Sequence, residues 1–169
     1  AVLPEAARRL KNKVERLVKA GKISGKSRIL FVNDGSKDGT WEMIGELHQS
    51  DPVFSGVCLT RNRGHQNALL AGLMTAKEKA DMVISMDADL QDDIDAVDAM
   101  VEEYYAGCHI VYGVRSSRKK DSFFKRFTAE GFYRVMNALG AETVFNHADY
   151  RLMSREALEG LAQFHEVNL

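Results

Sequence analysis

Several features that would fix the class of this 169-residue chain at once are missing. It has only two cysteines, with no C-x-x-C pair and no Cys/His cluster at zinc spacing, which excludes a zinc finger. No apolar run approaches the ~20 residues that span a bilayer. The formal net charge is −1, so no overall basic field argues for nucleic acid as a partner.

Two common nucleotide-binding motifs are also absent. The chain has no G-x-x-x-x-G-K-[ST], which excludes a P-loop, and no G-x-G-x-x-G, which disfavours a dinucleotide-binding fold. Its composition, 45% hydrophobic and 28% charged, is typical of a globular protein. Without repeats or a linker, residues 1–169 are expected to form a single domain. Cys58 and Cys108 lie in apolar runs, which predicts buried, reduced thiols.

Predicted strands and helices alternate along the chain. The spacing of apolar residues predicts an amphipathic helix over 3–19 and buried strands where short apolar runs occur. Such alternation predicts an α/β fold with a mostly parallel sheet and helices on both faces. The strands are expected at 28–32, 54–60, 82–86, 109–114 and 150–153, and the later helices at 41–49, 64–79, 94–106, 124–139 and from Ser154 onward.

An acidic stretch, M-D-A-D-L-Q-D-D at 86–93, follows the third predicted strand. Asp87 and Asp89 should therefore reach the carboxyl edge of the sheet, where open α/β sheets bind ligands. Two carboxylates there suit a divalent cation that also holds a substrate phosphate. The alternative is a polar loop in which Asp92 or Asp93 caps the next helix.

A turn-rich stretch, N-D-G-S-K-D-G-T at 33–40, follows the first predicted strand and faces the same crevice. Asp34 can accept hydrogen bonds from a nucleobase or ribose. Gly35 and Gly39 permit close approach of the backbone to a ligand. The alternative is an ordinary capped turn, because serine and threonine favour turns and helix caps anyway.

Basic residues occur after two other predicted strands. Arg61 and Arg63 precede a helix, whose N-terminus makes a natural anion site; solvated arginines are the alternative. Arg115 comes first after the fourth strand and is the best placed of the basic run 115–126 to reach a phosphate. That run leads into phenylalanines, a combination that also suits anionic lipid headgroups, although charge runs are usually solvated.

One more acid is a candidate, Asp149, in the stretch A-D-Y-R at 148–151. Strand-like alternation there would place its carboxylate in the crevice. The alternative is an ordinary ion pair with Arg151. His65 and His147 are weak candidates, because an isolated histidine is usually structural.

In this order, five stretches resemble those of inverting family-two glycosyltransferases. The similarity covers about residues 28–158 and is strongest to the polyprenyl-phosphate branch, which includes dolichyl-phosphate mannose synthases and bactoprenol glucosyltransferases. The stretches are F-V-N-D-G-S-K-D-G-T, L-T-R-N-R-G-H-Q-N-A-L-L-A-G-L, M-D-A-D-L-Q-D-D, Y-G-V-R-S-S-R and A-D-Y-R-L-M-S-R.

The resemblance implies a GT-A fold, a Rossmann-like nucleotide-diphosphosugar domain, and roles for individual residues. It implies that Mg²⁺ or Mn²⁺ is held on the donor diphosphate by Asp87, Asp89 and Gln91. It also implies that Asp34, with Gly35 and Ser36, contacts the nucleotide, that Arg115 and Arg118 contact phosphates, and that Asp149 lies near the acceptor. The residues expected to carry catalysis are Asp89, Asp149 and Arg115.

The chain departs from the family in three respects. The family's opening strand and its later membrane helices are missing, so residues 1–169 are expected to be a fragment without the first strand. His65 stands where the family often has lysine. The fragment is expected to be soluble, and the full-length protein to work at the cytoplasmic face of a membrane, with homo-oligomers possible.

The expected reaction is metal-dependent, inverting transfer of a sugar from a UDP- or GDP-sugar to a polyprenyl phosphate or a saccharide hydroxyl. Two other classes were weighed. A haloacid-dehalogenase-like phosphatase would use Asp87 as nucleophile and Asp89 as acid, but Gln91 stands where it needs threonine or valine, and its motif belongs on the first strand. The second is a non-catalytic nucleotide-sugar-binding domain.

Overall fold

A computed structural model describes residues 2–114 and 147–163, within which strands and helices alternate. The predicted helix over 124–139 lies outside the described residues. The elements are α1 (Leu3–Lys19), β1 (Ile29–Asn33), α2 (Thr40–Ser50), β2 (Phe54–Cys58), α3 (His65–Lys77), β3 (Met82–Ser85), α4 (Ala96–Tyr105), β4 (Ile110–Val114), β5 (His147–Ser154) and α5 (Arg155–Ala162).

The strands form two sheets in the described part of the chain. β1 and β2 pair in parallel, with Ile29 opposite Phe54. β5 lies between β3 and β4 and runs antiparallel to both, with Ser85 opposite Arg151. The predicted α/β class is confirmed; β1 and β2 pair in parallel, and only the pairings made by β5 are antiparallel among the described strands. Apolar patterning predicted that β5 is a strand but not its direction, because a buried strand has the same apolar pattern whether it is parallel or antiparallel to its neighbours.

Helices cover both faces of β1, as predicted. Phe31 points to one face, where it clusters with Ala7 of α1 and Ile44 of α2. The next residue, Val32, points to the opposite face, where its Cγ2 lies against Gly72 of α3.

Helix α1 also connects the two sheets. Its first turns pack in the cluster around β1, whereas Leu17 packs with Val101 of α4 and Leu152 of β5. Between these two contacts the buried Lys13 places its Nζ 2.6 Å from both Asp95 Oδ1 and Asp98 Oδ2. This ion pair ties α1 to the beginning of α4, directly after the acidic stretch.

A cavity of about 520 Å³ separates β1 from β3. Its lining includes every residue from 27 to 32 and every residue from 82 to 87. Because successive residues of a strand point to opposite faces, a cavity that meets all of them lies at the strand edges. No strand among the described residues pairs with these two edges.

Two local predictions are wrong. Cys58 and Cys108 are both exposed, since Cys58 is the last residue of β2 and Cys108 precedes β4. Neither Asp92 nor Asp93 caps α4; its N-cap is Asp95, which makes no side-chain cap hydrogen bond. Asp93 Oδ1 instead accepts the N–H of Asp95, at 2.9 Å, as part of the loop.

Gly72→Ala should destabilise the domain. A Cβ at Gly72 would lie 2.7 Å from Val32 Cγ2, and a β-branched side chain on a strand has little freedom to move. Overpacking of this kind costs about 1–3 kcal/mol, which exceeds or cancels the gain of about 1 kcal/mol that alanine brings to a helix. The measurement is the free energy of unfolding in urea.

Gly45→Ala in α2 is the matched control, because a Cβ there meets nothing within 4 Å. It should stabilise the domain by about 0.5–1 kcal/mol through helix propensity alone. Equal effects of the two substitutions would contradict close packing of α3 on β1.

Candidate functional site

Three loops meet at the edge of the sheets where β1, β2 and β3 end. The end of β5 that begins at His147 reaches the same edge, because β5 is antiparallel to β3. Continuing the β3–β5 register beyond Ser85 and Arg151 brings position 87 opposite position 149. Asp87, Asp149 and His65 all line the adjoining end of the cavity.

The carboxylate of Asp34 holds the beginning of α3. Its Oδ1 accepts the N–H of Arg63 at 2.7 Å, and its Oδ2 accepts the N–H of Gly64 at 2.9 Å. These amides lie directly before α3, and the N–H of Gly64 is shared with Asn62 Oδ1 at 3.1 Å. Both oxygens of Asp34 are therefore engaged within the protein, and its contact with a nucleotide stays a prediction.

Gly35 is required by a close approach between loops. Its φ is +64°, and a Cβ there would lie 2.4 Å from the carbonyl carbon of Arg61 and 2.6 Å from the nitrogen of Asn62. The neighbouring Ser36 donates its N–H to Asn33 Oδ1 at 3.3 Å. The turn after β1 is thus fixed against the loop after β2.

The acidic loop is held by its own carboxylates. Asp89 Oδ1 accepts the N–H of Gln91 at 2.9 Å, and Leu90 between them has a φ of +63°. The buried Asp92 accepts the N–H of Asp87 at 3.3 Å. These bonds fold the loop so that Asp87 and Asp89 stay at the exposed edge.

Burial and neighbouring charges together shift the titration of Asp87 in this loop. Partial burial raises the pKa of Asp87 above its ordinary value, the positive charge of His65 opposes this, and the carboxylates of Asp92, Asp89 and Asp149 raise the pKa further. Ionised Asp87 is therefore disfavoured unless a cation or a donor group compensates it.

Asp149 is held from two sides. His65 Nε2 lies 2.7 Å from Asp149 Oδ2, and Arg151 Nη2 lies 3.7 Å from Oδ1. The hydroxyl of Ser85 donates to the main-chain oxygen of Asp149 at 2.7 Å. The ion pair with Arg151 that the sequence suggested is present, but the shorter contact is with His65.

Whether the residues suit a divalent cation depends on their donor chemistry. No group of three or more His, Cys, Asp or Glu side chains suited to a metal occurs in residues 2–114 and 147–163. Asp87 and Asp89 nevertheless offer hard oxygen donors close to other negatively charged carboxylates. Mg²⁺ is usually bound by one or two carboxylates together with substrate phosphates, so these residues fit that mode of binding.

The structure gathers most of the predicted site residues at this edge. Arg115 and Arg118 lie outside the described residues. Sequence reasoning made His65 only a weak candidate, although its place directly after R-N-R-G, at the start of a helix facing the crevice, was a stronger signal. The predicted residues that share the edge are Asp34, Gly35, Ser36, Asp87, Asp89, Gln91 and Asp149.

Comparison with known proteins decides the family. Residues 3–161 match the profile described as Glycosyl transferase family 2. The chain belongs to this family. The resemblance inferred from the motifs is thereby confirmed, as is the class of enzyme, a glycosyltransferase.

Curated relatives agree. The chain is 51% identical over 168 residues to the "Uncharacterized glycosyltransferase YkoT" of Bacillus subtilis, covering 99% of this chain and 50% of that protein. It is 43% identical over 142 residues to the "Bactoprenol glucosyl transferase" of Shigella phage SfV, covering 83% and 46%. The "Prophage bactoprenol glucosyl transferase homolog" of Escherichia coli is 42% identical, with the same coverage. The chain spans about half the length of these relatives.

Asp87→Asn should raise the stability of the ligand-free domain at neutral pH. The pKa of Asp87 is raised in the folded state, so its ionised form opposes folding above that pKa. The gain should shrink as pH falls through the raised pKa toward the ordinary carboxyl value of ~3.9, and vanish below it, where the carboxyl is protonated in both states. Melting temperatures between pH 4 and pH 8 measure this.

The control is Glu46→Gln, which removes an exposed carboxylate of α2. It should leave the dependence of the melting temperature on pH unchanged. A lower melting temperature for Asp87→Asn than for the unchanged domain at pH 7 would contradict the crowding of carboxylates in the acidic loop.

Proposed function

We propose that the full-length protein transfers a sugar from a UDP- or GDP-sugar to a polyprenyl phosphate, with inversion at the anomeric carbon. The observation that carries the proposal is the convergence of Asp87 and Asp149, from antiparallel strands, in a chain of glycosyl transferase family 2. Relatives named bactoprenol glucosyl transferase support the class of acceptor.

On the donor side, the turn formed by Asp34, Gly35 and Ser36 would face the nucleotide, and the acidic loop would face the diphosphate. Mg²⁺ or Mn²⁺ would be held by Asp87 and Asp89, with Gln91 as a further oxygen donor. When bound, such a cation neutralises charge that develops on the departing diphosphate. The raised pKa of Asp87 supports this assignment, since a nearby cation would favour its ionised form.

On the acceptor side, an oxygen of the acceptor attacks the anomeric carbon from the face opposite the diphosphate. A new carbon–oxygen bond forms as the bond to the diphosphate breaks. A polyprenyl phosphate is already anionic, so it needs no strong base, and Arg115 and Arg118 would position its phosphate. A saccharide hydroxyl, as in polysaccharide synthesis, would need a base, and Asp149 is the candidate for that alternative.

A lipid acceptor implies that the enzyme works at a membrane surface. No helix among the described residues is long and apolar enough to cross a bilayer. We propose that the basic run 115–126, outside the described residues, contacts anionic headgroups at the cytoplasmic face. Homo-oligomer formation stays a prediction.

The cavity between β1 and β3 supports the prediction of an additional strand. An extended segment there would satisfy the backbone groups of both edges and join the two sheets. Helix α1 lines the cavity and leads into β1, so it would form the crossover of a right-handed βαβ unit. The second candidate function is nucleotide-sugar binding without transfer. The cavity beside the site favours it for residues 1–169 alone.

Hydrogen exchange tests the additional strand. In the full-length protein, amides of β1 and β3 that face the cavity should exchange much more slowly than in residues 1–169, because a paired edge is protected from solvent. Amides of β2 bonded to β1 serve as the reference. Equal exchange at both edges in the two proteins would contradict the proposal.

Transfer assays with the full-length protein test the function. The donors are UDP-glucose, UDP-N-acetylglucosamine and GDP-mannose, each with a polyprenyl phosphate and with or without Mn²⁺. Asp89→Ala should lower turnover by about 100-fold or more, because a carboxylate is lost where charge must be balanced. The anomeric configuration of the product, read by NMR, tests inversion.

Glu46→Gln again serves as the control and should leave turnover unchanged. Unaltered metal-dependent turnover of Asp89→Ala would refute the role of the acidic loop. Donor binding without transfer to any acceptor, measured by calorimetry, would favour the non-catalytic alternative.

A further inference from the structure

We propose that His65 is a positioning residue that holds the carboxylate of Asp149 in place for the acceptor. The inference rests on the proposed function and deepens its saccharide alternative, the case in which Asp149 is the candidate base. Its basis is the contact of 2.7 Å between His65 Nε2 and Asp149 Oδ2, which is the shortest side-chain contact that Asp149 makes among the described residues.

The direction of this hydrogen bond follows from chemistry. An ionised carboxylate only accepts, so His65 Nε2 donates, whether the ring is neutral or charged. The bond occupies Oδ2 and stabilises the carboxylate as an anion. Oδ1, whose nearest cation is Arg151 Nη2 at 3.7 Å, is left as the oxygen that can face an acceptor.

The main chain of Asp149 is fixed separately. Ser85 Oγ donates to the main-chain oxygens of Asp149 and Arg151, at 2.7 and 3.4 Å. Ser85 thus holds the strand, and His65 restrains the side chain. Without His65, the main chain of Asp149 would keep its position, but its side chain would lose the contact that selects its rotamer.

The turn formed by Asp34, Gly35 and Ser36 in turn sets the position of His65. Asp34 binds the N–H groups of Arg63 and Gly64, which directly precede His65. Asp34 thus bonds the loop after β1 to the start of α3, and His65 of α3 bonds to Asp149 of β5. Together these bonds connect the loop after β1 with the other sheet. Through these hydrogen bonds, the turn expected to face the nucleotide is connected with the residue expected to face the acceptor.

A role in stability alone would look different. His65 is more than half exposed, and an exposed ion pair contributes only about 0–1 kcal/mol. A displaced group in an active site, by contrast, can lower turnover by about 10–100-fold. The two roles are therefore separable by measurement.

The first test is a double-mutant cycle in the full-length protein, with the saccharide acceptor for which Asp149 is the candidate base. His65→Ala should lower kcat by about 10-fold, leave the KM of the donor within about twofold and barely change the melting temperature. In the Asp149→Ala background, His65→Ala should have no further effect on kcat, because its partner is gone.

Two further variants sharpen the test. His65→Gln keeps a side-chain donor and should recover much of kcat. Gln66→Ala, which removes an exposed neighbour in the same turn of α3, should leave kcat unchanged. Independent effects of His65→Ala and Asp149→Ala that multiply in the double variant, or an equal loss for His65→Gln and His65→Ala, would overturn the proposal.

A second readout does not depend on activity. The ring nitrogen signals of His65, followed by NMR, should shift on Asp149→Ala and keep their values in Gln66→Ala. The charged groups shown to interact with the ring are Asp149 of β5 and Asp87 of the acidic loop. An unshifted signal refutes the pairing.

The two readouts separate the proposals. If the unchanged protein transfers sugar to no acceptor, the proposed function fails and the role of His65 in it fails too, whatever the NMR signal shows. If transfer occurs but the cycle is additive, or if polyprenyl phosphate is the only acceptor, the proposed function stands and the role of His65 alone is refuted.

Discussion

The antiparallel pairing of β5 with β3 is the constraint on which the site depends. β5 fills the space between two strands, β3 and β4, that both pair with it in opposite direction. Its beginning therefore lies at the edge where β3 ends, and the register brings position 149 opposite position 87. A parallel β5 would place its first residues at the far edge, away from the acidic loop. The chemistry of the site thus follows from strand direction as much as from residue identity.

Helix packing turns this edge into a shared site. Both α1 and α3 contact the two sheets: Leu17 of α1 packs with the second sheet, and Leu73 of α3 clusters with Met153 and Leu158. These contacts hold β1 and β3 on either side of the cavity even though no described strand joins them. Lys13 adds an ionic tie to the start of α4, which follows the acidic loop. The loops after β1 and β3 are therefore placed by helices, not by a continuous hydrogen-bonded sheet.

The sequence predicted the elements well and their arrangement less well. Apolar spacing placed α1 correctly, and the last helix was predicted to begin at Ser154, whose hydroxyl accepts the N–H of Ala157 as its N-cap. Both are local properties. The direction of β5 and the exposure of Cys58 depend on partners distant in sequence, which local patterning does not specify. The contact of His65 with Asp149 is likewise a product of tertiary packing, because 84 positions separate the two residues.

The charge balance of the site explains why its parts must act together. Asp87, Asp89, Asp92 and Asp149 all raise the electrostatic cost of an anion here, and under the proposed function a sugar donor would bring two more phosphates. His65 offsets this locally, since its positive charge acts on Asp87 and its hydrogen bond satisfies Asp149. The domain alone therefore carries a stability penalty in the acidic loop that a bound cation would relieve.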